Sequence, residues 1–200
     1  RGFRRGPPGP PPPRGTPPLR APGPGQAPLS PPGAIPRFTE VRHRVPSLDQ
    51  ILAHKNREVA LRRSQRPIHA LKETIREMPP CRDFRAAIST GRKPRLIAEV
   101  KKSSPSAGII REPFDPIAIA RAFERGGAAA VSVLTDERFF GGDLVFLKAI
   151  RRAQGLPCLL KDFVLEPYQV YEARVYGADA VLLIVRILKD ESLREMYDLA

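Results

Sequence analysis

Three ionic residues, Glu99, Lys101 and Lys161, stand where strand-like segments end. In "LIAEVKKSSPSAGII" (Leu96–Ile110) an apolar run closes on an acid, a lysine two positions later, and then a Ser/Pro/Gly turn. Side chains alternate along a strand, so Ile97, Glu99 and Lys101 share one face while Leu96, Ala98 and Val100 share the other. The second set is apolar and should meet helices. The same parity in "PCLLK" pairs Leu159 with Lys161, the last inward residue of its strand. Two lysines and a glutamate at one opening have a definite chemistry. A positive mouth of this kind draws anions. The hydroxyls and backbone N–H groups of "SSPSAG" suit a phosphate. Each residue taken singly is more simply a solvated or salt-bridged side chain. Three on one parity favour a site, because half-buried charges are costly unless paired or used.

The elements that must position these residues alternate. "RLIAEV" reads as a strand. "FDPIAIARAFERGG" reads as a helix capped by Asp115, with Pro116 at its first position. "AAVSVLT" is a strand, "DLVFLKAIRRAQG" a helix capped by Asp143 and ended by Gly155, and "PCLLK" a strand. "EPYQVYEARVYG" is a helix ended by Gly177, "DAVLLIV" a strand, and "DESLREMYDLA" a helix. Four strand–helix units with nearly all-apolar strands, starting near residues 96, 130, 158 and 180, demand a parallel sheet covered on both faces. An open doubly wound sheet and a (β/α)8 barrel both fit; the first is weakened because no G-x-G-x-x-G follows the first strand. Upstream, Ser47 and Gln50 form a capping-box pattern at the head of "SLDQILAHKNREVALRR", where Leu48, Ile51, Leu52 and Val59 supply an apolar stripe. "LKETIREM" (71–78) is expected as a short second helix and "RDFRAAI" as a further helical turn.

Composition divides the chain at residue 46. Residues 1–46 hold 15 of the 24 prolines and eight basic residues against one acid, a net of +7; the remainder carries +6 of the overall +13. "PPGPPPPRGTPPLRAPGPG" has little to bury and favours polyproline II, so a disordered Pro/Arg-rich tail is expected. Without interleaved aromatics the tail does not read as a nucleic-acid binder, and a solvated linker, a presequence or upstream translation fits it better. The opening Arg1 suggests an incomplete or processed end. No secretory h-region is found, and the longest apolar run, "AVLLIV" (180–185), is too short to span a membrane. Cys81 and Cys158 are too few and too far apart for a disulfide framework, and three histidines, all before residue 70, argue against a metal site. The expectation is a soluble, cytoplasmic protein.

"LIAEVKKSSPSAGII" closely resembles the signature of the indole-3-glycerol phosphate synthase family: a hydrophobic strand, E-x-K, S-P-S and a downstream glycine. "SVLTDERFFGGD", "LLKDF" and "GADAVLLIVRIL" resemble that family's second-strand loop, third strand and fourth strand, in the same order. The similarity runs from about Ser47 to Ala200. It implies an α/β fold, a (β/α)8 TIM barrel truncated after about four βα units, with an extra N-terminal helix. It also implies an enzyme of tryptophan biosynthesis that cyclises an anilino-deoxyribulose phosphate with loss of CO2 and water, using no metal or organic cofactor. By the same resemblance Lys161 is the general acid, Glu99 the conserved acid of the site and Lys101 its neighbour that helps hold the anionic substrate. Ser104 is a phosphate-side serine, and Phe140 and Leu134 border the aromatic ring. Fusion to, or association with, other tryptophan-pathway enzymes fits the same picture; no nucleic-acid or membrane partner is expected.

Asp143 departs from the pattern, standing where the family usually has serine. Both cap helices well, though an acid at the rim disfavours an anion there. The second half of the barrel, with the catalytic base expected on the fifth strand and the late phosphate loops, is not in these residues, so the 200 residues alone are expected to be inactive. An isomerase-type phosphate-sugar barrel is the nearest alternative, and the E-x-K-x-x-S-P-S run speaks against it. A Pro/Arg-rich interaction module with a passive half-domain is the alternative of another kind.

Overall fold

Four short parallel strands, β1 (Ile97–Val100), β4 (Ala130–Leu134), β5 (Cys158–Lys161) and β6 (Ala180–Val181), lie side by side in chain order, each step crossing over through helix. They belong to a computed structural model that describes residues 45–91 and 94–200 of the chain. These residues fall within one unit, His43–Ala200. The expectation for the Pro/Arg-rich tail lies outside the described residues.

Each crossover helix starts on a side chain that the sequence supplies. Asp115 accepts from the N–H groups of Ile117 (3.0 Å) and Ala118 (2.9 Å) ahead of α4 (Pro116–Arg125). Asp143 accepts from Val145 N–H (2.8 Å) at the head of α6 (Leu144–Ala153), so the helix starts on an acid as well as it would on serine. Gln169 Oε1 accepts from Glu166 N–H (3.3 Å) at the head of α7 (Pro167–Val175), and α8 (Asp190–Leu199) follows β6. The helices pack on the outer face of the sheet. Val100, Val131, Val133 and Leu160 from the strands meet Leu147 and Ile150 of α6, and burying such a side chain contributes about 1.5–3 kcal/mol.

Before the sheet, α1 (Leu48–Gln65) begins on the full Ser47–Gln50 capping box. With α2 (Ile68–Arg76) it packs on α7 around Val59, Leu71 and Tyr168. A short α3 (Phe84–Ser89) starts on Asp83. At the N-terminal ends of the strands, Asp179 accepts from Arg82 N–H (2.8 Å) and Cys158 N–H (2.9 Å), which pins that end of the sheet to the segment between α2 and α3.

Several elements differ from their sequence expectations. Strand parity places Leu96 on the helix-facing side of the first strand; the strand instead starts one residue later and Leu96 is 60% exposed, its carbonyl accepting from Ala129 and Ala130. The "DAVLLIV" strand shrinks to Ala180–Val181, extended by one bond from Leu182 N–H to Leu160 O, and then coils into a 3-10 turn at Val185–Ile187. Among the described residues β6, like β1, has a strand on one side alone. The second helix is displaced toward its N-terminus, Ile68–Arg76 rather than 71–78. The polar turn after β1 is a small hairpin, with β2 (Ser103–Ser104) antiparallel to β3 (Gly108–Ile109). The "TDERFFGG" segment, expected as a loop, holds a one-turn helix, α5 (Glu137–Phe140).

Candidate active site

The strand register decides which side chains meet. Glu99 pairs with Ser132 and Ser132 with Leu159, while one layer up Leu134 pairs with Lys161. Partners in a parallel register point the same way. The face away from the helices therefore carries Glu99, Ser132 and Leu159, with Leu134 and Lys161 above them at the C-terminal ends of the strands. Among the described residues Ser132 has the one buried side-chain hydroxyl without a hydrogen-bond partner.

Glu99 is held between two ammonium groups. Lys101 Nζ donates to Glu99 Oε1 at 2.9 Å, and Lys161 Nζ stands 3.6 Å from Glu99 Oε2. All three side chains are about one-third exposed, so the cluster is neither sealed nor free in water. Burial pushes the Glu99 carboxyl upward. The hydrogen bond from Lys101 and the charges of Lys161 and Lys101 outweigh that and hold it below the usual carboxylate range. Glu99 is thus a carboxylate at neutral pH, and the trio carries one net positive charge facing the opening.

Lys161, Leu134 and Phe140 line one small cavity of about 40 Å3 together with Asp136, Phe163 and Leu182. Phe140 and Phe163 tilt toward each other across 6.3 Å between ring centres, giving the cavity an aromatic wall beside the ammonium. Ser104 is placed in β2, where its hydroxyl accepts from Ala107 N–H (3.2 Å) and lies 3.5 Å from the Ser106 hydroxyl; its side chain is engaged within the hairpin rather than with the charged trio. The hairpin itself comes over the site. Lys102 and Ser103 crowd Gly141, which ends α5 at a φ of 60° where a Cβ would sit 2.9 Å from Ser103 Oγ.

Sequence reasoning missed the charges behind the site. Lys55, on α1, is fully buried and contacts Asp136 and Asp162, the residues directly behind the ends of β4 and β5. The signal was present. Lys55 falls midway between Ile51 and Val59 on the buried stripe, a position where a charge needs partners. Asp162 follows Lys161 just past the end of β5 and lines the same small cavity.

Comparison with known proteins gives the family to which the chain is similar. The family model for indole-3-glycerol phosphate synthase matches residues 48–200. An indole-3-glycerol phosphate synthase of Rippkaea orientalis is 51% identical over 147 residues, which cover 73% of this chain and 50% of that protein. One from Rhodopirellula baltica is 49% identical over 153 residues (76% and 59%), and one from Roseiflexus castenholzii 50% identical over 159 (76% and 59%). The chain thus spans between half and three-fifths of the length of the curated relatives it matches. A family model that covers every βα unit described, and relatives about half identical across the same units, leave one assignment: the chain belongs to the indole-3-glycerol phosphate synthase family.

Proposed function

We propose that this chain supplies the N-terminal half of the active site of an indole-3-glycerol phosphate synthase, a carbon–carbon lyase of tryptophan biosynthesis. The observation that carries the reading is the Lys101–Glu99–Lys161 cluster at the C-terminal strand ends, where parallel barrels place their reacting groups. The substrate is 1-(2-carboxyphenylamino)-1-deoxyribulose 5-phosphate. Lys161 protonates the ketone oxygen as the ring carbon bearing the carboxylate attacks the carbonyl carbon. The new C–C bond closes the five-membered ring, CO2 leaves with its electron pair returned to the ring, and the hydroxyl then departs as water to give the indole. Glu99 holds Lys161 and Lys101 in place; Lys101 offsets the substrate's negative charge; Phe140 and Leu134 border the anilino ring, and Ser104 lies on the phosphate side. The base that assists dehydration comes from the other half of the barrel. Residues 1–46 act as a tail, with the barrel half beginning at Ser47. A cytoplasmic location belongs to the same reading, since a doubly charged phosphate ester does not cross a bilayer unaided. Among the described residues, no helix is long and apolar enough to cross a membrane.

The test joins residues 43–200 to the C-terminal half of the Rippkaea orientalis relative and follows indole fluorescence. The 200-residue chain alone should show no turnover and the joined barrel should form the indole. A folded joined barrel that isomerises phosphoribosylanthranilate instead, or does neither reaction, would overturn the reading.

A further inference from the structure

Lys55 is a cation with no access to solvent, delivered by a helix that is not part of any strand–helix unit. Its ammonium lies 2.9 Å from Asp162 Oδ1, 3.0 Å from Asp136 Oδ2 and 3.1 Å from Glu58 Oε2. Such a cluster is costly to bury and stays only where each charge is met. Here the carboxylates are further held. Asp162 accepts from the Thr135 hydroxyl (2.6 Å) and from Phe163 N–H (2.7 Å), and Asp136 caps α5 by accepting from Phe139 N–H (2.8 Å). Outside them Arg62 pairs with Glu58 and reaches Glu172 at 3.0 Å. Two of the three carboxylates therefore sit immediately behind reacting positions: Asp162 adjoins Lys161, and Asp136 begins the helix that ends in Phe140. One ammonium ties both strand ends to α1 at the level of the site.

We propose that Lys55 is a positioning residue for Lys161: acting through Asp162 and Asp136, it fixes the ends of β4 and β5 so that the Lys161 ammonium stays beside Glu99. The proposal rests on the reading of Lys161 as the proton donor. A purely structural Lys55 would stabilise the fold without governing where Lys161 points.

The two are separated by titrating Glu99 in the 200-residue chain, 13C-labelled at glutamate carboxyls and assigned through Glu99→Gln. Asp162→Asn keeps the side-chain shape and removes one carboxylate. Acting only through charge, that loss would move Glu99 downward, since a nearby negative charge is gone. If Lys161 loses its place, Glu99 instead moves upward, by about half a pH unit or more. The upward shift is the expected result, and Lys55→Met should shift Glu99 the same way if it folds. A Glu99 titration in Asp162→Asn that stays at or below the parent value overturns the proposal, whatever the melting temperature does. Because the readout needs no turnover, a joined barrel without activity would defeat the functional reading and leave this result to stand or fall separately.

Discussion

Glu99 illustrates how a single carboxylate answers to opposing demands. Its partial burial favours the neutral acid, and the two lysines favour the carboxylate; the lysines win. The folded-state pKa is therefore lower than in the unfolded chain, and the sign of the pH effect follows. The pair stabilises the fold above the ordinary glutamate value of about 4.3 and ceases to do so as pH falls through the lower folded value. Lys161→Met should move the Glu99 titration upward toward the ordinary value, read from its carboxyl 13C shift; an unmoved titration would mean that Lys161 does not sense Glu99. The cysteines give a second residue-level expectation. Burial, with the Asp179 carboxylate adding to it, pushes the Cys158 thiol up to about 12, while Cys81 is exposed. At pH 8 one equivalent of a thiol reagent should react with the native chain and two with the unfolded chain, because the thiolate is the nucleophile. Rapid labelling of both thiols in the native state would contradict the buried position of Cys158.

At the scale of elements, the contact between the start of α6 and the end of β4 is the tightest constraint on the site. A Cβ on Gly142 would fall against the backbone of Leu134 and Thr135, which cannot swing aside as a side chain would. Gly142→Ala should cost about 1–3 kcal/mol in urea unfolding. Gly155→Ala, where the new methyl meets only the end of the Glu124 side chain, should change stability by less than about 0.5 kcal/mol. Equal effects at the two positions would contradict the packing described. Elements of this kind were readable where a local rule set them: the Ser47–Gln50 box, Asp115 before Pro116, Asp143 before the third long apolar helix, and the parity that sets Glu99 and Lys161 on one face. What escaped depends on partners distant in sequence. The last strand stops at Val181 and the chain passes into the 3-10 turn at Val185–Ile187, a change that no local residue announces. The hairpin after β1 needs Ile110 N–H to reach back to Lys102 O (2.9 Å). Lys55 makes sense only once residues some 80 and 107 positions away close around it, and nothing local to α1 names them.

For the molecule as a whole, four βα units present one face of charged and aromatic groups at the strand ends and hold it from behind with a buried ionic hub. The sheet has open edges on β1 and β6 among the described residues, and the curated relatives are longer than the matched segment, so the proposed reaction is to be tested in the joined barrel. In that joined barrel the role of Lys161 can be measured alone. Lys161→Ala should lower the turnover number for indole formation by about 10²–10⁴-fold, the range for removing a positioned proton donor, while the protein keeps its fold by circular dichroism. A turnover number within about threefold of the parent would contradict the assignment of Lys161 as the acid of ring closure.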